Sequence, residues 1–165
     1  DLPKKVRCAV RGVHYFFMTK EEFEEQIANG QMLEHAEYCG KYYGTPSSQI
    51  MDWIEEGRDV VLEIEVQGAR QIKEKRPDCV SIFVLPPSLE ELEKRLRYRN
   101  TEDEETIQKR LAVARQEMET ARDYDYVIVN DTIEHTVEQI NKIIAAEKLK
   151  VSRAKSNIER VLNND

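Results

Sequence analysis

The chain has 165 residues, of which 35% are charged, and a formal net charge of −7 at pH 7. The length is sufficient for a single domain, spanning 1–165, with a substantial core, and the acidic balance argues against general binding to nucleic acid or to membrane surfaces. No apolar run approaches the roughly 20 residues of a membrane span. The sequence has three cysteines and no C-x-x-C motif, so it indicates neither a disulfide framework nor a zinc site. The cysteine pattern predicts a reduced, cytoplasmic protein, and the oligomeric state, monomer or homodimer, stays open at this point.

The first half of the chain alternates strand-like and helix-like segments. Thr19 and Glu22 have the spacing of a capping box, which predicts a helix that ends at Gly30. Residues 31–44 are predicted to form a hairpin or meander. The other elements predicted here are strands over 6–10, 13–17 and 59–65, and helices over 47–56 and 68–75.

The second half continues the alternation. The segment 79–85 is apolar on both faces, as expected of a central parallel strand. Ser88 is placed to cap the next helix, which runs to about Arg99. The remaining predicted elements are a charged helix over 103–121, a buried strand over 126–129 and one long helix over 133–162. Strands joined by helices imply right-handed crossovers and a mainly parallel sheet, hence an α/β fold.

The stretch from Leu33 to Pro46 mixes acidic, tyrosine, glycine and threonine side chains without a clean alternation of two. This mixture is suited to a pocket wall that reads a flat polar ligand. The carboxylate of Glu34 can accept paired N–H donors, a phenol can hold a phosphate oxygen, and Thr45 can donate or accept. The alternative is a tyrosine-rich hairpin with a tight glycine turn.

Polar side chains follow two of the predicted strands. Glu63 and Glu65 lie at the carboxyl end of the strand over 59–65, where open α/β sheets bind ligands. They could hold the water shell of a cation, orient an arginine or read a base; alternatively, one of them pairs with a nearby arginine. Asn130 follows the last strand and could read the edge of a base, although Asn-Asp is also an ordinary helix cap.

Three arginines lie on the two charged helices. Arg95 and Arg99 are four residues apart and share a helix face, and Arg110 lies on the following helix. Guanidinium groups bind phosphate oxygens in pairs, so this helical hairpin could close over a transferring phosphoryl group. The alternative is a solvated face with Glu–Arg pairs, since Glu91 precedes Arg95 by four residues.

Taken in order, these segments closely resemble the guanylate kinase family. The resemblance extends from about Gly12 to Lys155. The matching blocks are Gly12–Phe17, Leu33–Thr45, Leu62–Gly68, Pro86–Ser88, Arg95–Thr101 and Val127–Asp131. The resemblance implies a P-loop NTPase-like core with a parallel sheet and helices on both faces. It also implies a small mixed β GMP-binding part over about 11–49, a helical lid over about 95–122, and a core formed by the remainder.

The resemblance further implies phosphorylation of GMP to GDP by Mg-ATP. Glu34 would accept hydrogen bonds from guanine N1 and the exocyclic amine, and Thr45 would also contact guanine. Tyr15 and Tyr43 would hold the GMP phosphate. The other residues carried over, in core and lid, are Glu63 and Glu65 near the base and the phosphate-bridging site, Arg95, Arg99 and Arg110 on the phosphates, and Asn130 beside the ATP base. The resemblance implies Mg²⁺ bound with ATP and no direct protein ligand to the metal.

Two departures from the family pattern concern phosphate binding. No segment matches G-x-x-x-x-G-K-[ST], and the arginines before Gly12, Arg7 and Arg11, have a different spacing from the family's motif. We expect the chain to be cut before Asp1 and joined across an omitted loop between Val10 and Arg11. On this expectation the 165-residue polypeptide has no useful kinase activity and binds GMP weakly.

Two other functions stay open at this point. One is a non-catalytic guanylate-kinase-like module that recognises a phosphopeptide or a nucleotide, which the missing P-loop motif favours. The retained lid arginines and paired acids favour the enzyme instead. The other is a different nucleoside-monophosphate kinase, against which Glu34 and Thr45 argue.

Overall fold

The computed structural model describes residues 6–8, 16–38, 41–98 and 103–163, with 6–8, 16, 17, 38 and 49 described by their backbone alone. The strands are β1 Val6–Cys8, β2 Phe16–Met18, β3 Met32–Tyr38, β4 Lys41–Pro46, β5 Ile82–Leu85 and β6 Tyr126–Val129. The helices are α1 Lys20–Ala28, α2 Ser47–Glu55, α3 Val66–Lys75, α4 Leu89–Tyr98, α5 Glu104–Glu119, α6 Ile133–Lys148 and α7 Lys155–Leu162, with a 3-10 helix at Thr120–Asp123. This composition confirms the predicted α/β class.

The chain divides into two compact units. The first comprises residues 1–81 and 112–122, and the second comprises 82–111 and 123–165. The division into a GMP-binding part, a lid and a core stays a prediction. Within the described ranges, none of the helices combines the length and the apolar character needed to cross a bilayer.

The first unit contains a four-stranded sheet in the order β2-β1-β4-β3. β1 runs parallel to β4, whereas β1–β2 and β3–β4 are antiparallel. The β3–β4 pair is the hairpin that the sequence predicts over 31–44. Its register contains a bulge: Met32 lies opposite Pro46 and Glu34 lies opposite Thr45, so Leu33 is the extra residue.

At the bulge, two neighbouring residues of β3 pack into two different hydrophobic clusters. Met32 packs with Phe23 of α1 in one cluster. Leu33 packs with Ile50 of α2 and Ile72 of α3 in the other. The first strand residues of β3 therefore anchor the hairpin to three helices.

The start of α1 has the predicted capping box. The Thr19 hydroxyl accepts a hydrogen bond from the Glu22 amide at 3.2 Å, and the Glu22 carboxylate accepts one from the Thr19 amide at 2.7 Å. Both bonds satisfy amides that the first turn of a helix otherwise leaves unpaired.

Substitution of Thr19 by alanine is expected to lower the free energy of unfolding by about 1 kcal/mol, because it removes the acceptor for the Glu22 amide. Chemical denaturation of the two proteins measures the difference. Thr19→Ser keeps the acceptor and is expected to retain most of the stability. Equal stability of the alanine variant and the wild type would contradict the prediction.

The predicted strand over 59–65 is wrong. These residues form an extended segment, and none of the described strands pairs with it in a ladder. Its alternating side chains, Val60, Leu62 and Ile64, pack against the cluster around Leu33. The period of two therefore correctly indicated which side chains point inward, but a strand also requires a backbone partner. Helix α3 begins at Val66, slightly earlier than the predicted start.

The second unit contains β5 and β6 as a parallel pair, with Ile82 opposite Tyr126 and Leu85 opposite Val129. Both strands were predicted, but not their exposure. Ile128 is 5% exposed, whereas Val84 and Val127 are 46% and 55% exposed. In the part of the chain that is described, a two-stranded sheet covers too little of these apolar side chains to bury them on both faces.

The single C-terminal helix predicted over 133–162 is also wrong, because α6 and α7 are separated by a turn over 149–154. Buried Glu147 lies at the end of α6 and accepts a hydrogen bond from the Tyr126 hydroxyl at 2.6 Å. Lys150 and Arg153, in the turn, place their charged groups 2.6 Å and 3.6 Å from the same carboxylate. The hydrogen bonds from Lys150 and Tyr126 lower the pKa of Glu147. The turn that brings these cations back to Glu147 ends the helix.

Candidate functional site

The β3–β4 hairpin brings Glu34 and Thr45 together. Directly opposed residues of antiparallel strands share a face of the sheet, and these two residues are opposed. The Thr45 hydroxyl donates a hydrogen bond to Glu34 Oε1 at 2.6 Å. Their exposed fractions are 2% and 3%. A charged carboxylate this deeply buried is costly to maintain, which indicates a role other than stabilising the fold.

The bulge at Leu33 aims the Glu34 side chain. An extra residue in one strand rotates the following side chain relative to the unbulged pattern. Here Leu33 enters the hydrophobic cluster with Ile50 and Ile72, and Glu34 then faces Thr45. The sequence analysis missed this bulge, since no glycine or other turn residue marks it.

Helix α3 packs directly on the Glu34 carboxylate. A Cβ atom added to Gly68 would lie 2.2 Å from Glu34 Oε2 and 2.9 Å from Cδ. Only glycine therefore fits at this position with the carboxylate in place. Gly68 lies in the first turn of α3, where the partial positive charge of the helix N-terminus favours an anion. The sequence analysis noted Gly68 only as the start of a predicted helix and missed this contact.

The electrostatic environment of Glu34 is mixed. Burial raises the pKa of its carboxyl group, while the hydrogen bond from Thr45 and the electrostatic interactions with His35 and Lys75 act in the opposite direction. A carboxylate has two oxygens that accept hydrogen bonds. A ligand with two parallel N–H donors would therefore relieve the cost of burying the charge.

Tyr43 joins the same face of the hairpin. It lies opposite Ala36 and two residues before Thr45 on β4, so its half-buried side chain points to the same side as Thr45. Tyr15, the other predicted phosphate contact, lies outside the described residues. The hairpin thus gathers Glu34, Tyr43 and Thr45 on one face.

The acidic pair is placed differently from the prediction. Glu63 is exposed on the extended segment, and half-buried Glu65 precedes α3 as its N-cap residue, so neither lies at the end of a strand. Burial and the negative charge of Glu65 raise the pKa of Glu117 on α5. The sequence analysis missed this electrostatic interaction, because it joins segments far apart in the chain.

In the second unit, Arg95 of α4 meets the loop after β6. Its guanidinium donates to Glu91 Oε1 at 2.9 Å, to the Asn130 carbonyl at 3.0 Å and to the Asp131 carbonyl at 3.4 Å. The Glu–Arg pair of the alternative interpretation is therefore present. The structure also brings two predicted site residues, Arg95 and Asn130, into contact.

The remaining predicted residues of this unit are only partly described. The Asn130 side-chain oxygen accepts a hydrogen bond from the Thr136 hydroxyl at 3.4 Å. Arg110 is half-buried on α5, and Arg99 lies outside the described residues, as does the Val10–Arg11 junction.

Comparison with known proteins identifies the family. The guanylate kinase family model matches residues 4–147. The chain belongs to the guanylate kinase family. It is 48% identical over 155 residues to guanylate kinase from Oceanobacillus iheyensis, covering 94% of this chain and 75% of that protein. It is 52% identical over 149 residues to guanylate kinase from Clostridioides difficile, covering 90% of this chain and 73% of that protein.

A solved guanylate kinase shares the fold. The crystal structure of guanylate kinase from Anaplasma phagocytophilum has a TM-score of 0.73 and 36% sequence identity, covering 90% of this chain and 77% of that chain. The family resemblance and the P-loop NTPase-like fold class are thereby confirmed. The comparisons support neither the expected lack of activity nor the non-catalytic binding module.

Proposed function

We propose that this protein is a nucleoside-monophosphate kinase that transfers the γ-phosphoryl group of ATP to GMP, giving ADP and GDP. The observation that carries the proposal is the buried Glu34–Thr45 pair, found in a chain of the guanylate kinase family. A buried, oriented carboxylate suits a substrate that offers paired N–H donors.

The proposed selectivity follows from the hydrogen-bonding pattern of the purines. Guanine offers N1–H and an exocyclic amine, and the two oxygens of Glu34 can accept both. Adenine has an unprotonated N1, whose lone pair would face the buried carboxylate. Sites whose buried polar groups depend on the substrate reject analogues that leave those groups unpaired by factors of roughly 10⁴.

On the phosphate side, we assign Tyr15 and Tyr43 to the GMP phosphate, and Arg95, Arg99 and Arg110 to the phosphates of both nucleotides. Fixed guanidinium charges offset the negative charge of the transferring group, so the protein contributes chiefly positioning and charge neutralisation. Asn130 is assigned to the ATP base, and Arg95 lies beside it, donating to the Asn130 backbone carbonyl at 3.0 Å.

The metal assignment concerns Mg²⁺ bound with ATP. Among the described residues, no three His, Cys, Asp or Glu side chains converge as a ligand set. Glu65 nevertheless concentrates negative charge beside Glu117, and carboxylate oxygens suit Mg²⁺ or its bound waters. We therefore assign Glu63 and Glu65 to hold, through bound water, the Mg²⁺ that would accompany ATP and would neutralise phosphate charge.

The proposed setting is the cytoplasm, with the protein as a monomer or homodimer in purine nucleotide metabolism and with no nucleic-acid or membrane partner. The net charge of −7 supports this, because an acidic surface repels both polyanions and anionic lipid.

A coupled assay of ADP formation by the full-length protein tests the function. With ATP and Mg²⁺, robust turnover is expected with GMP, and kcat/KM is expected to be lower for AMP by roughly 10⁴. Comparable turnover of AMP, or no turnover of GMP, would contradict the proposal.

A further inference from the structure

Helix α3 and the edge of strand β3 are joined by side chains from one helix face. β3 is the outer strand of its sheet in the order β2-β1-β4-β3. Three residues spaced by four along α3, Gln67, Gln71 and Lys75, donate hydrogen bonds to backbone carbonyls of β3. These side chains occupy edge positions that a further strand would otherwise fill.

The three contacts descend the strand in order. Gln67 Nε2 donates to the Glu37 carbonyl at 3.2 Å, and Lys75 Nζ donates to the Leu33 carbonyl at 2.7 Å. Gln71, between them, makes two bonds to His35: its Nε2 donates to the His35 carbonyl at 2.5 Å, and its Oε1 accepts from the His35 amide at 3.1 Å. Its Nε2 also donates to the Gln67 carbonyl, in the preceding turn of α3, at 3.3 Å.

The match follows from the geometry of the two elements. Four residues of an α-helix rise about 6 Å, and two residues of a β-strand advance about 6.8 Å. Residues at every fourth position of α3 therefore lie level with every second residue of β3. The backbone groups that point away from β4, at the edge of the sheet, belong to Leu33, His35 and Glu37. Those of Glu34 and Ala36 point toward β4.

Gln71 forms a hydrogen bond with the peptide unit that follows Glu34. The His35 amide belongs to the peptide unit that joins Glu34 to His35, so the bond to Gln71 Oε1 fixes the plane of that unit. The same helix places Gly68 against the Glu34 carboxylate. Since both contacts come from α3, Gln71 sets the separation between the helix and the carboxylate.

We propose that Gln71 is a positioning residue for guanine recognition. By pairing with both backbone groups of His35, it holds β3 against α3 and keeps the Glu34 carboxylate in the orientation that reads the base. This inference rests on the proposed function, and it adds a residue that acts through the position of Glu34.

The test uses Gln71→Met, which preserves the length and packing of the side chain but removes both hydrogen bonds to His35, together with the bond to the Gln67 carbonyl. The KM for GMP is expected to rise about 10-fold, as for the loss of one or two hydrogen bonds, while kcat and the KM for ATP change less than about 2-fold. The preference for GMP over AMP is expected to fall by a similar factor. The matched control is Gln67→Met on the same helix face, whose single bond is farther along β3 from Glu34; its KM for GMP is expected to stay within about 2-fold of wild type.

A second variant guards against failure to fold. Gln71→Lys keeps a donor for the His35 carbonyl, as Lys75 does for the Leu33 carbonyl, and loses the acceptor for the His35 amide, so an intermediate KM for GMP supports the inference. Calorimetric titration with GMP, read beside thermal unfolding of each protein, separates binding from stability. An unchanged GMP affinity in Gln71→Met, or equal losses for GMP and ATP, overturns the role of Gln71 and leaves the proposed function intact. A wild-type protein that binds GMP without phosphorylating it contradicts the proposed function instead.

Discussion

Replacement of Glu34 by glutamine is expected to raise the KM for GMP by about 100-fold, as for the loss of hydrogen bonds to a charged group, and to reduce the preference for GMP over AMP. The glutamine has nearly the same shape and retains an oxygen for Thr45, which bonds Glu34 at 2.6 Å. Its amide group, however, would present N–H donors to the N–H donors of guanine. Steady-state kinetics with GMP and AMP measure both changes.

The same substitution is expected to raise the midpoint of thermal unfolding at neutral pH. Burial raises the pKa of Glu34 above that of an unfolded-chain glutamate, so the folded state binds the proton more tightly than the unfolded state does. Glu34 therefore favours folding in acid, and this contribution is lost as the pH rises through the raised pKa. Glutamine carries no charge, and the advantage of the variant should disappear as the pH falls toward about 4.

The control for this experiment is Glu37→Gln. Glu37 lies on the same strand and undergoes the same chemical change, but it is exposed. Its variant is expected to retain the GMP kinetics and the unfolding midpoint of the wild type. If Glu34→Gln were as selective for GMP as the wild type, the role assigned to the buried carboxylate would be wrong.

Local patterns predicted much of this site. The capping box at Thr19, the hairpin, and the combination of Glu34 with Thr45 were all visible in the sequence, because each depends on residues close along the chain. The register of the hairpin places Glu34 opposite Thr45, at the 2.6 Å contact. The family resemblance was confirmed, and the functions that it implies for these residues stay predictions.

The features that the sequence did not predict depend on distant partners. The break after α6 involves Glu147 and Tyr126, which lie in different elements. The segment over 59–65 shows the alternation of a strand, but whether it joins a sheet depends on a neighbouring strand. Similarly, the need for glycine at position 68 arises from Glu34, on a strand 34 positions earlier, as the 2.2 Å approach to its carboxylate shows.

Gly68→Ala is expected to lower kcat/KM for GMP by about 100-fold, because a misplacement of roughly 1 Å at a reacting or recognition group has effects of that size. The new Cβ would lie 2.2 Å from Glu34 Oε2, so the carboxylate must move away. The effect on stability should be small. Alanine gains about 1 kcal/mol over glycine in a helix, which offsets part of an overpacking cost of about 1–3 kcal/mol. Kinetics and thermal unfolding of the same protein measure the two effects.

Two comparisons establish whether Gly68 acts through Glu34. Gly30→Ala is the glycine control: Gly30 has a φ of 68° and no described atom within 4 Å of an added Cβ. It is expected to lose about 1–2 kcal/mol of stability through backbone strain without a change in the KM for GMP. In a double-mutant cycle, Gly68→Ala added to Glu34→Ala should cause little further loss of GMP binding, because the carboxylate it displaces is already absent. Additive losses would show that Gly68 affects GMP binding by another route, such as displacement of α3 itself.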